Sequence, residues 1–248
     1  MLDAIATIAL VTAIIVNLGA VAGAMLGALP NRLYFLTIGG LWTGFAGALA
    51  GSGALLGSGL GPVPPVGFMV LTPLAAVAAT AALSPAFRKA ILALPINLLI
   101  GLNTFRLLGV FFLVLAAEGR LAGPFPYSAG WGDIITGVLA LPLVAFMAWT
   151  PRGGSMIAKA WNWFGALDLF AAIIFGLTSA EGSPLQMFHA GILGPLPVQT
   201  LPFALIPTVL VPLFLILHGI IYAQLNRQAS LSESGTRDAA TAATAFGR

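Results

Sequence analysis

The stretch that decides the fold is GLNTFRLLGVFFLVLAAEG, residues 101–119. It has the apolar length of a bilayer-crossing helix, yet Arg106 stands inside it, the only charge between Lys89 and Glu118. About 20 residues rising 1.5 Å each cover the roughly 30 Å hydrocarbon core of a membrane. A guanidinium at mid-depth costs on the order of 2.5–3.5 kcal/mol on the insertion scale, so it calls for a partner within the protein.

The rest of the chain shares this character. It is 59% hydrophobic and 7% charged, against about 25% charged for an ordinary soluble domain. Gly and Pro are abundant but lie inside apolar runs, so disorder is not the reading. Runs of about 18 or more apolar residues recur, whereas a β-barrel would show segments of about 10 residues alternating apolar and polar. The predicted fold is all-α: a polytopic membrane bundle of seven transmembrane helices forming one domain over residues 1–225. The spans are expected near 4–29, 33–57, 66–83, 96–117, 131–149, 156–179 and 201–225. Pro30, Gly61-Pro62, Ser84-Pro85, Gly123-Pro124, Pro151 and Gly182-Ser183-Pro184 mark the breaks. Pro85 to Leu94 reads as an interfacial lead-in to the fourth span, and 226–248 as a disordered cytoplasmic tail.

The loops assign an orientation. Arg32, Arg88, Lys89, Arg152, Lys159 and Arg227 follow spans one, three, five and seven, while Arg120 stands on the other side with Asp3, Glu118 and Glu181. By the positive-inside rule the N-terminus is outside and the C-terminus cytoplasmic. No basic n-region precedes the first span, so a cleaved signal peptide is not expected. The basic residues belong to loops rather than to a patch interleaved with exposed aromatics, which excludes nucleic acid as a partner.

With no cysteine, disulfides, thiolate nucleophiles, Cys-ligated iron–sulfur clusters and c-type haem are excluded. No G-x-S-x-G elbow, H-E-x-x-H pair or P-loop is present. Neither a cofactor nor a metal is expected.

Attention therefore falls on the polar residues inside the spans. Arg106 lies about 18 Å and Asp168 about 20 Å below the same surface, counting back from Glu118 and Glu181 at 1.5 Å per residue. Both reach mid-depth on spans that run in one direction, so the two are expected to pair, directly or through a water. Asn103, three residues before Arg106, shares its face, and Trp161 shares that of Asp168. Asn97 and Asn162 fall nearer the cytoplasmic ends, within reach of water. His218, in the seventh span, suits a proton shuttle, a pH sensor or a carbonyl-bonded structural role. Asp133, in Gly-Trp-Gly-Asp, is expected to cap the start of the fifth span or to serve its outer mouth. Pro207 and Pro212 are expected to kink the last span. Ser183, Pro184 and Gln186 form a capping-box start for a short outer helix carrying Met187, Phe188, Ile192 and Leu193.

Gly19, Gly23 and Gly27, and likewise Gly40, Gly44, Ala48 and Ser52, repeat at four-residue spacing. Such faces bring helices close, within the bundle or, in the alternative, in a homo-oligomer or against a partner membrane protein.

The pieces FRLLGVFFLVLAAEGRLAGPF, GWGDIITGVLA, WNWFGALDLFAAI and LIPTVLVPLFLILHGI resemble a widespread set of uncharacterised bacterial seven-helix inner-membrane proteins without assigned activity. The resemblance covers roughly the second half of the chain. It implies a multi-pass protein of the bacterial inner membrane and nothing chemical. Microbial rhodopsins are a poor match, because the last span lacks their Schiff-base lysine.

The leading expectation is binding or transport of a small molecule, an anion among the candidates, through a polar cavity open to the outside. That cavity would be built from Arg106, Asn103, Asp133 and Asp168, with Asn162 and His218 completing the polar core. The alternatives are a structural or accessory membrane subunit, an intramembrane enzyme using Asp133, Asp168 and His218, or a haem protein with His218 as single axial ligand.

Overall fold

The computed structural model describes residues 1–25, 29–56, 65–182, 185–189 and 194–246. Among them there are helices and turns and no strand. Seven segments are long and apolar enough to cross a membrane: Leu2–Ala24, Asn31–Gly51, Pro65–Leu83, Ile96–Ala117, Phe125–Trp149, Gly153–Thr178 and Ile206–Ser230. The chain thus has the make-up of a multi-pass membrane protein.

In chain order the helices are α1 (Leu2–Ala24), α2 (Leu29–Gly51), α3 (Pro65–Leu83), α4 (Pro85–Leu92), α5 (Ile96–Leu102), α6 (Val110–Ala117), α7 (Phe125–Trp149), α8 (Pro151–Thr178) and α9 (Val211–Phe246). A 3₁₀ segment, Asn103–Gly109, joins α5 to α6, and a π-helical turn, Ile206–Leu210, leads into α9. The α4 helix is the short lead-in: Ser84 caps it, its Oγ accepting from Phe87 N at 3.2 Å, with Pro85 in the first turn where no N–H is needed.

Span four is therefore broken around Arg106. A 3₁₀ helix has 3.0 residues per turn, so residues three apart eclipse one another. Asn103, Arg106 and Gly109 accordingly form one line, and these are the three buried residues of the segment. The span ends in a Schellman turn: Gly119, at φ +68°, donates to Ala116 O at 3.0 Å, and Arg120 N donates to Leu115 O at 2.8 Å. Arg120 then reaches Asp3 at 2.7 Å, bringing the start of α1 to the α6–α7 end of the bundle. This bond also holds the Arg120 guanidinium above its ordinary pKa.

Three boundaries differ from the sequence reading. The fifth span begins at Phe125, because Pro126 sits in the first turn where proline is tolerated. Asp133 is then two turns inside α7 and is not its cap. Backbone helix continues to Phe246 through the segment read as a tail, in keeping with its alanine-rich sequence and the high helix propensity of that residue. Residues 185–189 are irregular rather than helical, with Met187 N and Phe188 N both donating to Thr178 O. Ser183, Pro184, Ile192 and Leu193 lie outside the described residues, as does Gly27.

Pro212 has no N–H to return to the Thr208 carbonyl one turn back. The indole of Trp42, on peripheral α2, donates to that oxygen at 2.8 Å. A second indole makes the equivalent link inside the bundle, where Trp161 Nε1 donates to Thr136 O at 3.1 Å.

The close helix contacts are not where the periodic glycines point. A Cβ added at Gly19, Gly23, Gly40 or Gly44 would meet nothing within 4 Å, so these positions do not bring α1 and α2 together. The tight seam is between α7 and the 3₁₀ segment: a Cβ on Gly137 would lie 2.9 Å from Leu107 N and 3.3 Å from Thr104 O. Backbone cannot yield there as a flexible side chain can. Gly137→Ala is expected to cost about 1–3 kcal/mol through overpacking, read as lowered thermal stability in detergent. Gly44→Ala should show no loss, since alanine fits the space and favours helix. Equal losses at the two positions would contradict the seam.

Candidate functional site

Arg106 is the largest side chain in the structure with under 2% exposure. It extends from the 3₁₀ segment between α7, α8 and α9, and each nitrogen of its guanidinium is used. Nε donates to Asp133 Oδ1 at 2.7 Å, and Nη2 to Asp168 Oδ2 at 2.5 Å. Nη1 donates to the Gly165 carbonyl at 2.9 Å and meets His218 Nε2 at 3.0 Å. Four of the five N–H groups of an arginine are thereby engaged.

The arginine dictates the state of the histidine. A guanidinium only donates, so His218 Nε2 must be the acceptor and the ring proton must sit on Nδ1. Nδ1 lies 2.8 Å from Asn162 Oδ1, which accepts that proton, while Asn162 Nδ2 donates to the His218 carbonyl at 3.1 Å. His218 is therefore neutral and fixed in one tautomer, with the Trp161 ring 5.4 Å from its own. Both ring nitrogens are taken within the network. Among the described residues no group of three or more His, Asp or Glu is arranged to hold a metal ion.

Glycine makes the assembly possible. A Cβ on Gly165 would lie 2.6 Å from the His218 ring and 2.9 Å from Arg106 Nη1. A Cβ on Gly132 would overlap the Asp168 carboxyl group, and one on Gly109 would overlap Asp133. The helices approach at these points closely enough for the charged groups to touch.

Of the six residues singled out in the sequence, Arg106, Asp133, Asp168, His218 and Asn162 form one connected network. Arg106 and Asp168 meet directly. Asp133 is a second carboxylate on the same arginine and not a cap at the mouth, a consequence of the earlier start of α7. Asn162 is buried in the network instead of resting near water, whereas Asn97 is exposed. Asn103 stands apart: it is fully buried, and its amide donates to Leu99 O within its own helix. The Gly165 carbonyl and the glycines were not anticipated, although one signal was available. Arg106, Asp133 and Asp168 each have a glycine three residues away, at Gly109, Gly130 and Gly165.

The network borders a small open cavity of about 70 Å³ between α3, α6, α7, α8 and the π-helical turn. Phe112, Phe125, Leu169, Ala172, Gly176 and Val198 are among its walls, and Asp133 is the one charged residue lining it. The 3₁₀ turn Leu196–Gln199 contributes Val198 and Gln199 at the end where α7 begins and α8 finishes. The wall of this cavity is mostly apolar, and the polar side chains of the network are turned chiefly toward Arg106 and His218.

Residues 63–226 match the model of a family described as a domain of unknown function, DUF8737. The match extends from just ahead of α3 into α9 and takes in the whole network. No curated protein and no solved structure matches the chain.

The charge count predicts an unequal response to mutation. Arg106→Leu would leave two carboxylates buried together without a counter-charge, at a cost of about 3–5 kcal/mol. Asp168→Asn keeps an acceptor for Nη2 and leaves Asp133 to balance the arginine, so its loss should be clearly smaller. Thermal unfolding of the purified variants measures both. If Asp168→Asn proves as damaging as Arg106→Leu, the two carboxylates do not share the arginine as described.

Proposed function

The chain belongs to the DUF8737 family, and from its geometry we propose a multi-pass membrane protein that binds a small, largely apolar molecule in the cavity ending at Asp133. The observation that carries this reading is the meeting of an apolar chamber with a buried carboxylate. A carboxylate 10% exposed along an otherwise apolar wall is costly unless something uses it, and intramembrane ionisable residues belong to function more often than to architecture. An anionic ligand is not favoured, since Arg106 is turned toward the two aspartates, Gly165 and His218.

The bilayer is the bacterial inner membrane, with the N-terminus outside and the C-terminus in the cytoplasm. The distribution of basic residues supports this orientation, and the Asp3–Arg120 ion pair is consistent with it, since both belong to the outer end. The cavity mouth then faces the outer side. Reporter fusions after Arg88 and Arg152 are expected to report cytoplasm, and fusions near Gly123 periplasm; a periplasmic signal at Arg152 would reverse the orientation.

A second reading, an accessory subunit, draws support from the open space beside Gly19, Gly23, Gly40 and Gly44. Cysteine accessibility separates the two, because the chain has no thiol of its own. Cysteines introduced at Ala180 and Ala172, on the cavity wall, should react with a small membrane-impermeant methanethiosulfonate applied to intact cells. Cysteines at the fully buried Asn103 and Thr136 should not. Silence at Ala180 and Ala172, with a cysteine at exposed Glu181 reacting, would remove the binding reading and favour the accessory one.

A further inference from the structure

We infer that the molecule taken by this cavity is a monocation, an ammonium group on a short apolar body, whose charged end meets the free oxygen of Asp133. The inference rests on the cavity-binding reading and adds the chemical class of the ligand.

Three observations carry it. The first is charge balance. Arg106 sets one positive charge against the two carboxyl groups of Asp133 and Asp168, and His218 is held neutral by its two hydrogen bonds. With both carboxyls ionised, the form that an arriving cation favours, the cluster carries one more negative than positive charge. The second is geometry. Asp133 Oδ1 is bonded to Arg106, and among the described residues no hydrogen bond is made by Oδ2. This side chain is nine-tenths buried and belongs to the cavity wall. The third is the wall itself. Phe112, Phe125, Leu169, Ala172 and Val198 offer no polar group, so an alkyl or ring body is accommodated while an ammonium is drawn to Asp133, the one charged residue on a wall whose other polar side chain is Gln199. An anion would meet like charge and a neutral molecule would leave the excess charge unbalanced.

The test uses the full chain in lipid nanodiscs and three probes of equal size: hexylammonium, hexanol and hexanoate. Thermal unfolding is followed against probe concentration. Hexylammonium should raise Tm at concentrations roughly tenfold or more below those needed for hexanol, the margin expected of a hydrogen bond to a charged group. Hexanoate should have no effect. Asp133→Asn should abolish the preference for the amine. Should that variant fail to fold, Gly176→Leu serves in its place. Gly176 lines the cavity away from the charged network, and a Cβ there makes only ordinary 3.7 Å contact with Phe125. The larger side chain should fill the chamber and erase the shift. If hexanol stabilises as well as hexylammonium and Gly176→Leu blocks both, the cavity binds but the charge inference fails, a proton then being the balancing cation. If no probe shifts Tm, or Gly176→Leu leaves the shift intact, the cavity reading fails with it.

Discussion

A guanidinium buried in an apolar bundle must be met on nearly every N–H, and the structure follows from how Arg106 is met. Its partners come from α7, α8 and α9, three helices that are fixed to one another through a single side chain. Helix association within lipid lacks the hydrophobic drive available in water, so close packing and interhelical hydrogen bonds set the arrangement. The tightening of the fourth span to a 3₁₀ turn belongs to the same requirement. It aligns Asn103, Arg106 and Gly109 on one face, so that the arginine projects beside Gly109, against which α7 sets Asp133.

Much of this arrangement could be read from the sequence, for an identifiable reason. Length and hydropathy are local properties, and the seven spans emerge from them with modest errors at their ends. The depth argument for Arg106 and Asp168 also succeeds, because the rise of a helix converts residue number to height. Height does not determine azimuth or helix start, however. Asp133 was read as opening the fifth span because that span was begun at Trp131, whereas Pro124 at the N-cap and Pro126 in the first turn permit a start at Phe125. Asn162 was misread on the same footing, as proximity to a helix end was taken for exposure.

The glycines teach a complementary lesson. A four-residue period in α1 and α2 defines a face, but contact requires something opposite, and opposition is a non-local fact. Among the glycines that admit a neighbour's backbone or side chain, Gly109, Gly130, Gly132, Gly137 and Gly165 share nearness to a charged residue instead of period. The physics is direct. A charge buried in a membrane bundle needs a partner at hydrogen-bond range, and short reach between helices needs the smallest residue near the charge. Beside Gly19, Gly23, Gly40 and Gly44, which lack a charged neighbour, the faces stay open within the chain.

Neutral acceptors explain why the cluster stops at two carboxylates. Arg106 offers more donors than one aspartate can receive, and each further carboxylate would add desolvated negative charge to the same small volume. Gly165 O and His218 Nε2 accept without adding any. The histidine can do so only while its proton is held on Nδ1, which is the task of Asn162, and only while its ring is kept in place, to which Trp161 contributes. Asn162 and Trp161 therefore act on the arginine through His218, and the Trp161 indole ties the same assembly to α7 through Thr136 O. The outcome is an arginine met by two carboxyl groups and two neutral acceptors, bordered on one side by a mostly apolar chamber. That boundary between a charged cluster and an apolar space is where the fold leaves a demand unmet, and a demand of that kind is what a ligand can satisfy.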